Sequence, residues 1–343
     1  MKKTLLDRGA LEEFLKNNNE KLYRVAQIEQ AVFGDWKTDI EEFTTLSKDL
    51  RDKLKAEFDI SPLTVEKDLV SVDGTNKVLF VTKDNQYVES VLMRHKTDRL
   101  TLCISSQVGC PVKCVFCSTG TMGYSRNLEY HEIAAQVLYF NQKLAKEGKR
   151  VRNIVFMGMG EPLLNYDHVM KAIEMLNDQK KFAIGIRHIT ISTSGIIPRI
   201  KDLMAINSPV NLAVSLHAPN DELRTKIMPI NKAHPLDKLM VVLKEYMEKT
   251  DKRIFYEYVM LKNLNDKPEH AFELAHLLKG QMAHVNLIPY NPGGAWADLE
   301  CSSRNKIMAF QKILQLQDIP CTVRYTLGQD IDAACGQLAV KSK

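Results

Sequence analysis

No stretch of the chain comes near the roughly 20 consecutive apolar residues that a membrane-spanning helix needs. The amino-terminal MKKTLLDRGALEEF turns acidic directly after its paired lysines, so it carries no apolar signal-peptide core. Both absences argue against a membrane protein and predict a cytoplasmic one. Fixed-period repeats and low-complexity tracts are also missing, which sets aside solenoids and disordered linkers. Neither sign of charge dominates, since 47 Lys and Arg stand against 42 Asp and Glu for a net charge of +5. That balance permits a nucleic-acid partner without establishing one. Basic runs such as 143–152 (KLAKEGKRVR) read more readily as solvated helix ends than as phosphate contacts. What is present, 343 residues of which 45% are hydrophobic, is enough for one large enzyme domain with accessory segments.

The most informative absence is a fourth cysteine. The chain has seven cysteines, an odd number that does not suit a secreted disulfide framework. Cys110, Cys114 and Cys117 stand at Cys-x3-Cys-x2-Cys spacing in SQVGCPVKCVFCSTG, with no further cysteine nearby. A closed structural zinc site or an electron-carrying cluster would want a fourth ligand. Three thiolates on a cubane [4Fe–4S] cluster leave one iron open, and an open iron can chelate the amine and carboxylate of S-adenosylmethionine. The other readings are a zinc site completed by a distant histidine and three ordinary buried thiols.

Along the chain three regions stand out. Residues 1–62 place apolar side chains at three- and four-residue intervals in LEEFLKNNN, LYRVAQIEQAVF and FTTLSKDLRDKLKAEF, predicting a helical accessory domain that stops at Ser61-Pro62. Residues 63–98 alternate as strands in LVSVDG, NKVLFVT and YVESVLM, predicting a small antiparallel hairpin or meander. Residues 99–343 alternate strand-like runs (LTLCISS, RNIVFMGMG, HITISTSG, VNLAVSLHA, RIFYEYVML, AHVNLIPY, CTVRYTLG) with helical ones. Repeated β/α units imply a parallel sheet, and their number predicts an α/β fold built as a partial (β/α)6 barrel. In such barrels the site gathers where strands end. The cluster loop follows the first strand, Gly158–Pro162 the second, Ser192 and Ser194 the third, Ser215-Leu216-His217 the fourth and Tyr290-Asn291-Pro292 the sixth. Alone, Gly158 and Gly160 would mark a tight turn and His217 a satisfied core histidine. Together they converge on one mouth.

The stretches CISSQVGCPVKCVFCSTGTMGYSRNL, FMGMGEPLLN, RHITISTSGIIP, VNLAVSLHAPND, IMPIN, HVNLIPYNP and DIDAACGQL closely resemble the RlmN/Cfr family of radical S-adenosylmethionine RNA methyltransferases. The resemblance implies a [4Fe–4S] cluster on Cys110, Cys114 and Cys117. It implies S-adenosylmethionine, two per turnover, held by Gly160, Glu161, Ser192, Ser215, Leu216, His217 and Asn291. Cys335 in AACGQL would be methylated first, and a 5′-deoxyadenosyl radical would take a hydrogen from that methyl group. The thiomethylene radical would add to the adenine, Glu89 would accept the ring proton, and Cys103 would form a transient disulfide with Cys335 to release the product. Without the resemblance, Cys103 on an apolar strand, Cys335 among small residues and Glu89 on a hairpin would each read as structural. Cys301 and Cys321 match no family motif and read as structural.

The family divides into adenine-C2 and adenine-C8 enzymes. Pro162 after Gly160-Glu161, Pro289 in LIPY and Val108 favour C2, while GGAWADLECSS after YNP departs from the proline-rich form expected there. The implied substrates are a peptidyl-transferase-centre adenine of 23S rRNA and the adenine beside the anticodon of tRNA. An electron donor such as flavodoxin or ferredoxin, a monomeric state and RNA docking on residues 1–62 complete the expectation. C8 methylation is the runner-up, and a zinc-stabilised RNA-binding module without catalysis is the alternative from another class.

Overall fold

The computed structural model describes residues 2–324 and 326–339. The amphipathic patterns near the amino terminus become helices with side-chain caps. Asp7 accepts from the Ala10 amide at the start of Arg8–Asn17, and Ser47 accepts from the Leu50 amide at the start of Lys48–Glu57, each satisfying one orphan donor of a helix end. Between them Tyr23–Glu29 runs into a π turn at Gln30–Gly34. Two short strands, β1 (Lys3–Thr4) and β2 (Phe58–Asp59), pair in parallel and tie the ends of this segment together. The segment is not a free lobe, because the Phe33 ring meets the Phe182 ring edge-on at 5.1 Å and Trp36 lies against the same ring.

A meander of β3 (Leu63–Val70), β4 (Asn76–Thr82) and β5 (Tyr87–Arg94) follows, then β6 (Leu100–Cys103). A two-stranded hairpin, β7 (Gln107–Gly109) with β8 (Tyr124–Asn127), frames the cysteine loop. The rest of the barrel is β9 (Asn153–Phe156), β10 (Ile189–Thr193), β11 (Asn211–Ser215), β12 (Ile254–Met260), β13 (Ala283–Pro289) and β14 (Cys321–Val323). The main sheet has ten strands in the order β14-β13-β12-β11-β10-β9-β6-β5-β4-β3. From β6 to β14 all neighbours are parallel, and from β6 to β3 they are antiparallel. A helix lies in each crossover, namely Tyr130–Ala145, Tyr166–Asn177, Ile197–Ala205, Leu236–Thr250, Pro268–Leu278 and Arg304–Leu316. The fold is the partial (β/α)6 barrel expected, capped by a seventh parallel strand.

One strand lies elsewhere than expected. The pattern beginning at Leu69 predicts a strand up to turn residues Asp73-Gly74; the turn is there, within Ser71–Thr75 and closed by Ser71 and Thr75 backbone bonds, but β3 starts at Leu63 and ends at Val70. Residues 66–68 are all charged and exposed, so β3 lacks the alternation that betrays a half-buried strand; it is an edge strand with only Leu63 buried. The last expected strand, Cys321–Gly328, ends at Val323, and Tyr325 lies outside the described residues.

Register decides which side chains face the lumen. Successive strand residues point to opposite faces, so pairing carries one face across the whole sheet. Leu102, Ile154, Ile191, Val214, Tyr256 and Val285 form the outer face under the helices and are fully buried, each stabilising the fold by about 1.5–3 kcal/mol. The opposite parity puts Lys77, Glu89, Cys103, Ser192, Ser215, Glu257 and Asn286 on the inner face. The apolar face makes the barrel and leaves a polar lining. Among the described residues no helix is long and apolar enough to cross a membrane.

Candidate active site

Chain crossings that glycine alone allows place the cysteine loop. Gly109 has φ +72, and a Cβ there would stand 2.0 Å from the Gly123 carbonyl oxygen, so the β7–β8 hairpin closes only around glycine. The Cys110 amide donates to Gly123 O at 2.8 Å and the Cys117 amide to Cys114 O at 3.2 Å, forming a tight turn through the triad. The loop then docks on the far side of the barrel. The Val115 amide donates to Ile227 O, and the Phe116 ring meets His217 edge-on at 4.7 Å. Burial, reinforced by the neighbouring thiols, pushes Cys114 well above the ordinary thiol value and Cys110 up to about 12. Their mutual influence shows that the thiols are neighbours, and a bound cation is what would hold such a set as thiolates.

The strand-end residues gather beside this loop. Gly160 has φ +102 and passes so close to β7 that a Cβ would lie 2.5 Å from the Gln107 Cβ. The Glu161 carboxylate is already engaged, accepting from the Leu163 amide at 3.0 Å and the Ser194 amide at 2.6 Å. It caps the next turn and staples β9 to β10, so a ligand meets backbone here rather than a free carboxylate. Burial raises its pKa, and those amide bonds oppose the rise. Ser192 and Ser215 face the lumen, whereas Leu216 points outward and offers only backbone. His217 holds φ +59 and accepts from the Val259 amide on Nδ1 at 3.0 Å, which leaves Nε2 as the protonated nitrogen. Burial, with Arg224 nearby, pushes it down to about 3, so it is neutral. The buried Ser194 and Ser106 hydroxyls have no partner among the described residues.

Arg224 escaped sequence analysis. It sits in the polar helix Asp221–Ile227 yet is wholly buried, donating to Ser194 O at 2.6 Å, Ser215 O at 3.1 Å, Leu216 O at 3.2 Å and Asn231 Oδ1 at 2.6 Å. One guanidinium therefore ties the ends of β10 and β11 together. Only Asn231, inside the IMPIN stretch, hinted at it.

The carboxy-terminal segment crosses the mouth as a strap. Its Gly328 amide donates to Asp73 Oδ2 at 2.8 Å, and its Asp332 carbonyl accepts from Lys77 Nζ at 3.1 Å. Further along, the Cys335 carbonyl accepts from Asn291 Nδ2 at 3.2 Å, Gly336 O from the Ser118 amide at 2.8 Å and Leu338 O from Thr119 Oγ1 at 2.6 Å. Asn291 thus holds the Cys335 backbone, and the strap bridges the meander, the cysteine loop and the loop after β13. Gly294 in that last loop lies on the cysteine loop, where a Cβ would meet Val115 O at 2.3 Å. The departure at GGAWADLECSS therefore places a glycine, Gly294, where close backbone approach demands it.

Cys335 is reached by solvent inside this concavity, and surrounding protein still pushes its thiol up to about 11. Cys103 is buried and pushed up to about 12, first by burial and then by Cys335 itself, so the two thiols are near one another while both are free. Glu89 is buried beside them, its Oε1 3.2 Å from Lys77 Nζ and its Oε2 without a hydrogen-bond partner among the described residues. Burial raises its pKa and Lys77 opposes this. Lys77 is a second residue that sequence reasoning missed.

The model of the radical SAM superfamily matches residues 104–275, and that of the ribosomal RNA large subunit methyltransferase N-terminal domain matches residues 4–60. A relative in Thermoanaerobacter sp. (strain X514), named probable dual-specificity RNA methyltransferase RlmN, is 45% identical over 96% of this chain and 95% of its own. The chain belongs to the RlmN family of radical S-adenosylmethionine RNA methyltransferases. An RlmN relative so named in Enterococcus faecalis (strain ATCC 700802 / V583) is 41% identical over 98% of this chain and 95% of its own. The solved structure of a radical SAM methyltransferase from Sphaerobacter thermophilus matches with a TM-score of 0.92 and 42% identity, covering 98% of this chain and 97% of that one.

Membership of the RlmN family implies a [4Fe–4S] cluster and S-adenosylmethionine, and the residues present fit both. Three thiols on one loop are the donor set a site-open cluster takes. Among the described residues no three Cys, His, Asp or Glu side chains converge as ligands of a single ion, and thiolates bound to three separate irons need not. Beside them lie strand-end backbone and unpartnered serine hydroxyls able to bind a polar ligand.

Proposed function

We propose that this protein methylates C2 of an adenine in RNA: the peptidyl-transferase-centre adenine of 23S rRNA and the adenine beside the anticodon of tRNA. The observation that carries this is the strap, which sets Cys335 beside Cys103 on the face that also presents Glu89. When bound at Cys110, Cys114 and Cys117, the cluster with two molecules of S-adenosylmethionine supplies one methyl group and one 5′-deoxyadenosyl radical per turnover. Gly160, Glu161, Ser192, Ser215, Leu216, His217 and Asn291 orient the cofactor, through backbone at Gly160, Glu161 and Leu216 and through side chains at the serines. Cys335 carries the methyl carbon to the base. Glu89, whose raised pKa suits a proton acceptor, takes the ring proton and is neutralised by it, and Lys77 beside it steadies the carboxylate in the ionised form that accepts. The Cys103 thiolate then attacks the Cys335 sulfur, and the disulfide forms as the Cys335 sulfur–carbon bond breaks. That bond's electron pair passes to the carbon left on the base, which takes a proton to become the methyl group. The transient disulfide suits a reducing cytoplasm.

Val108, Pro162 and Pro289 support C2 rather than C8. The target adenine reaches the lumen only unstacked, since a regular RNA helix hides ring edges. Residues 1–62 serve as an RNA-docking domain, 63–98 as the extension that brings Glu89, and 99–343 as the catalytic core of a monomer reduced by a flavodoxin or ferredoxin. The test is a pair of variants. Cys103→Ala should accumulate protein covalently joined to RNA, seen as a slow band that ribonuclease collapses, and Cys335→Ala should form none. Normal turnover by Cys103→Ala, or methyl groups mapped by mass spectrometry to C8, would overturn the reading.

A further inference from the structure

Just past Cys103 the main sheet stops pairing strand with strand. Continued beyond the Val91–Cys103 pair, the antiparallel register of β5 and β6 would set Glu89 opposite Ser105. Their main chains do not pair. The Ser105 amide donates instead to Gln136 Oε1 at 2.8 Å, and Gln136 Nε2 donates to Ser105 O at 2.9 Å. One side-chain amide from the helix Tyr130–Ala145 thus takes the place of a neighbouring strand. The same Gln136 Oε1 accepts from Ser90 Oγ at 2.5 Å, and Ser90, Ser105 and Gln136 are all fully buried.

Glu89 is left with a buried carbonyl and amide that need other partners, since a buried backbone group without one is costly. Its carbonyl accepts from the Ser105 hydroxyl at 2.6 Å, and its amide donates to Met159 Sδ at 3.3 Å. The Ser105 hydroxyl in turn accepts from the Met159 amide at 2.8 Å. A serine hydroxyl has one proton to donate, and here it goes to the main chain of Glu89. No slack surrounds it, because a Cβ on Gly158 would stand 2.6 Å from Ile104 O and 2.8 Å from Ser105 Oγ. A serine that merely shaped its own turn would bond its near neighbours in sequence. Ser105 reaches instead to residues 16 and 54 positions away. Three pieces of the site meet at this one hydroxyl: the strand of Glu89, the strand that carries Cys103, and the loop that enters Gly160 directly after Met159. Lys77 holds the tip of the Glu89 side chain at 3.2 Å; Ser105 holds its root.

We propose that Ser105, its main chain held by Gln136, is a positioning residue that sets Glu89 against the Cys103 strand and the Gly160 loop for removal of the ring proton. This rests on the reading of Glu89 as the proton acceptor. Cluster-loaded full-length protein is given S-adenosylmethionine, dithionite and a 23S rRNA fragment carrying the target adenine, anaerobically and for a single turnover. Formation and decay of the protein–RNA adduct are followed on gels, and 5′-deoxyadenosine is measured alongside. Ser105→Ala should form adduct and 5′-deoxyadenosine at the parent's rate but resolve the adduct about tenfold more slowly, within the loss that a small misplacement causes. Deuterium at the adenine ring carbon should slow that resolution more in Ser105→Ala than in the parent, because proton removal then limits it. Loss of packing alone would slow both stages together and leave the isotope effect unmoved. That result, or no adduct from Ser105→Ala, overturns the proposal. Glu89→Ala, run in parallel, separates the two readings. A stall in Glu89→Ala but not in Ser105→Ala overturns this proposal alone, as does a stall in Ser105→Ala alone, since Ser105 acts through Glu89. A stall in neither overturns the proton-acceptor reading, and this proposal with it.

Discussion

Replacing Arg224 with methionine should both destabilise the protein and weaken cofactor binding. Methionine fills much of the space of the arginine stem but donates no hydrogen bonds. The carbonyls of Ser194, Ser215 and Leu216 and the amide oxygen of Asn231 each lose a charged donor, and hydrogen bonds to charged groups contribute about 1.5–3 kcal/mol each. The gross loss is then about 8 kcal/mol. Part of it is recovered, because burial already opposes the charge strongly enough to bring Arg224 down to about 10. That shift corresponds to about 3 kcal/mol no longer spent on desolvation, leaving a net loss of about 4–5 kcal/mol. For 343 residues unfolding with about 2.1 cal/mol/K each, this is a fall in Tm of about 6 °C. Freed of their tether, the ends of β10 and β11 should also splay, so the affinity for S-adenosylmethionine should fall about tenfold or more. Anaerobic thermal melting and equilibrium dialysis read the two effects. A Tm within 1 °C of the parent with unchanged affinity would refute the claim that this guanidinium holds the strand ends.

His217, whose pKa burial pushes down to about 3, should make stability fall as pH drops, because the unfolded chain takes up a proton near its ordinary value of about 6.5 that the native state refuses. The contribution is fully present above that value and is lost at about 1.4 kcal/mol per pH unit below it, so by pH 5 it reaches about 2 kcal/mol. His217→Asn, which tolerates the left-handed backbone and keeps an acceptor for Val259, should flatten urea-unfolding stability between pH 7 and 5; an unchanged slope would contradict the assignment. Cys114→Ala should abolish iron loading and 5′-deoxyadenosine formation while melting within a few degrees of the parent chain, since the core closes without the loop; full iron content in that variant would rule out the triad.

Much of this protein follows from order along the chain alone. Leu102, Ile154 and Val214 recur with strand spacing between amphipathic helices, which is enough to announce a β/α barrel, because burying alternate residues is a local requirement of each strand. The spacing of Cys110, Cys114 and Cys117 is equally local: three donors on one short loop stay neighbours however the rest folds. Cys335 and Cys103 were legible only through a resemblance, since 231 intervening residues separate them and no spacing rule spans that distance. Where β3 begins was masked by charges that an exposed edge tolerates. Tertiary structure alone brought the strap across the mouth, put Lys77 against Glu89 and buried Arg224 under two strand ends. Lys77, Glu89 and Arg224 are charged groups that would be solvated on their own segments. Only when the sheet curls and excludes water does burial become costly enough to demand a partner, and which partner it finds is set by the curvature of the barrel.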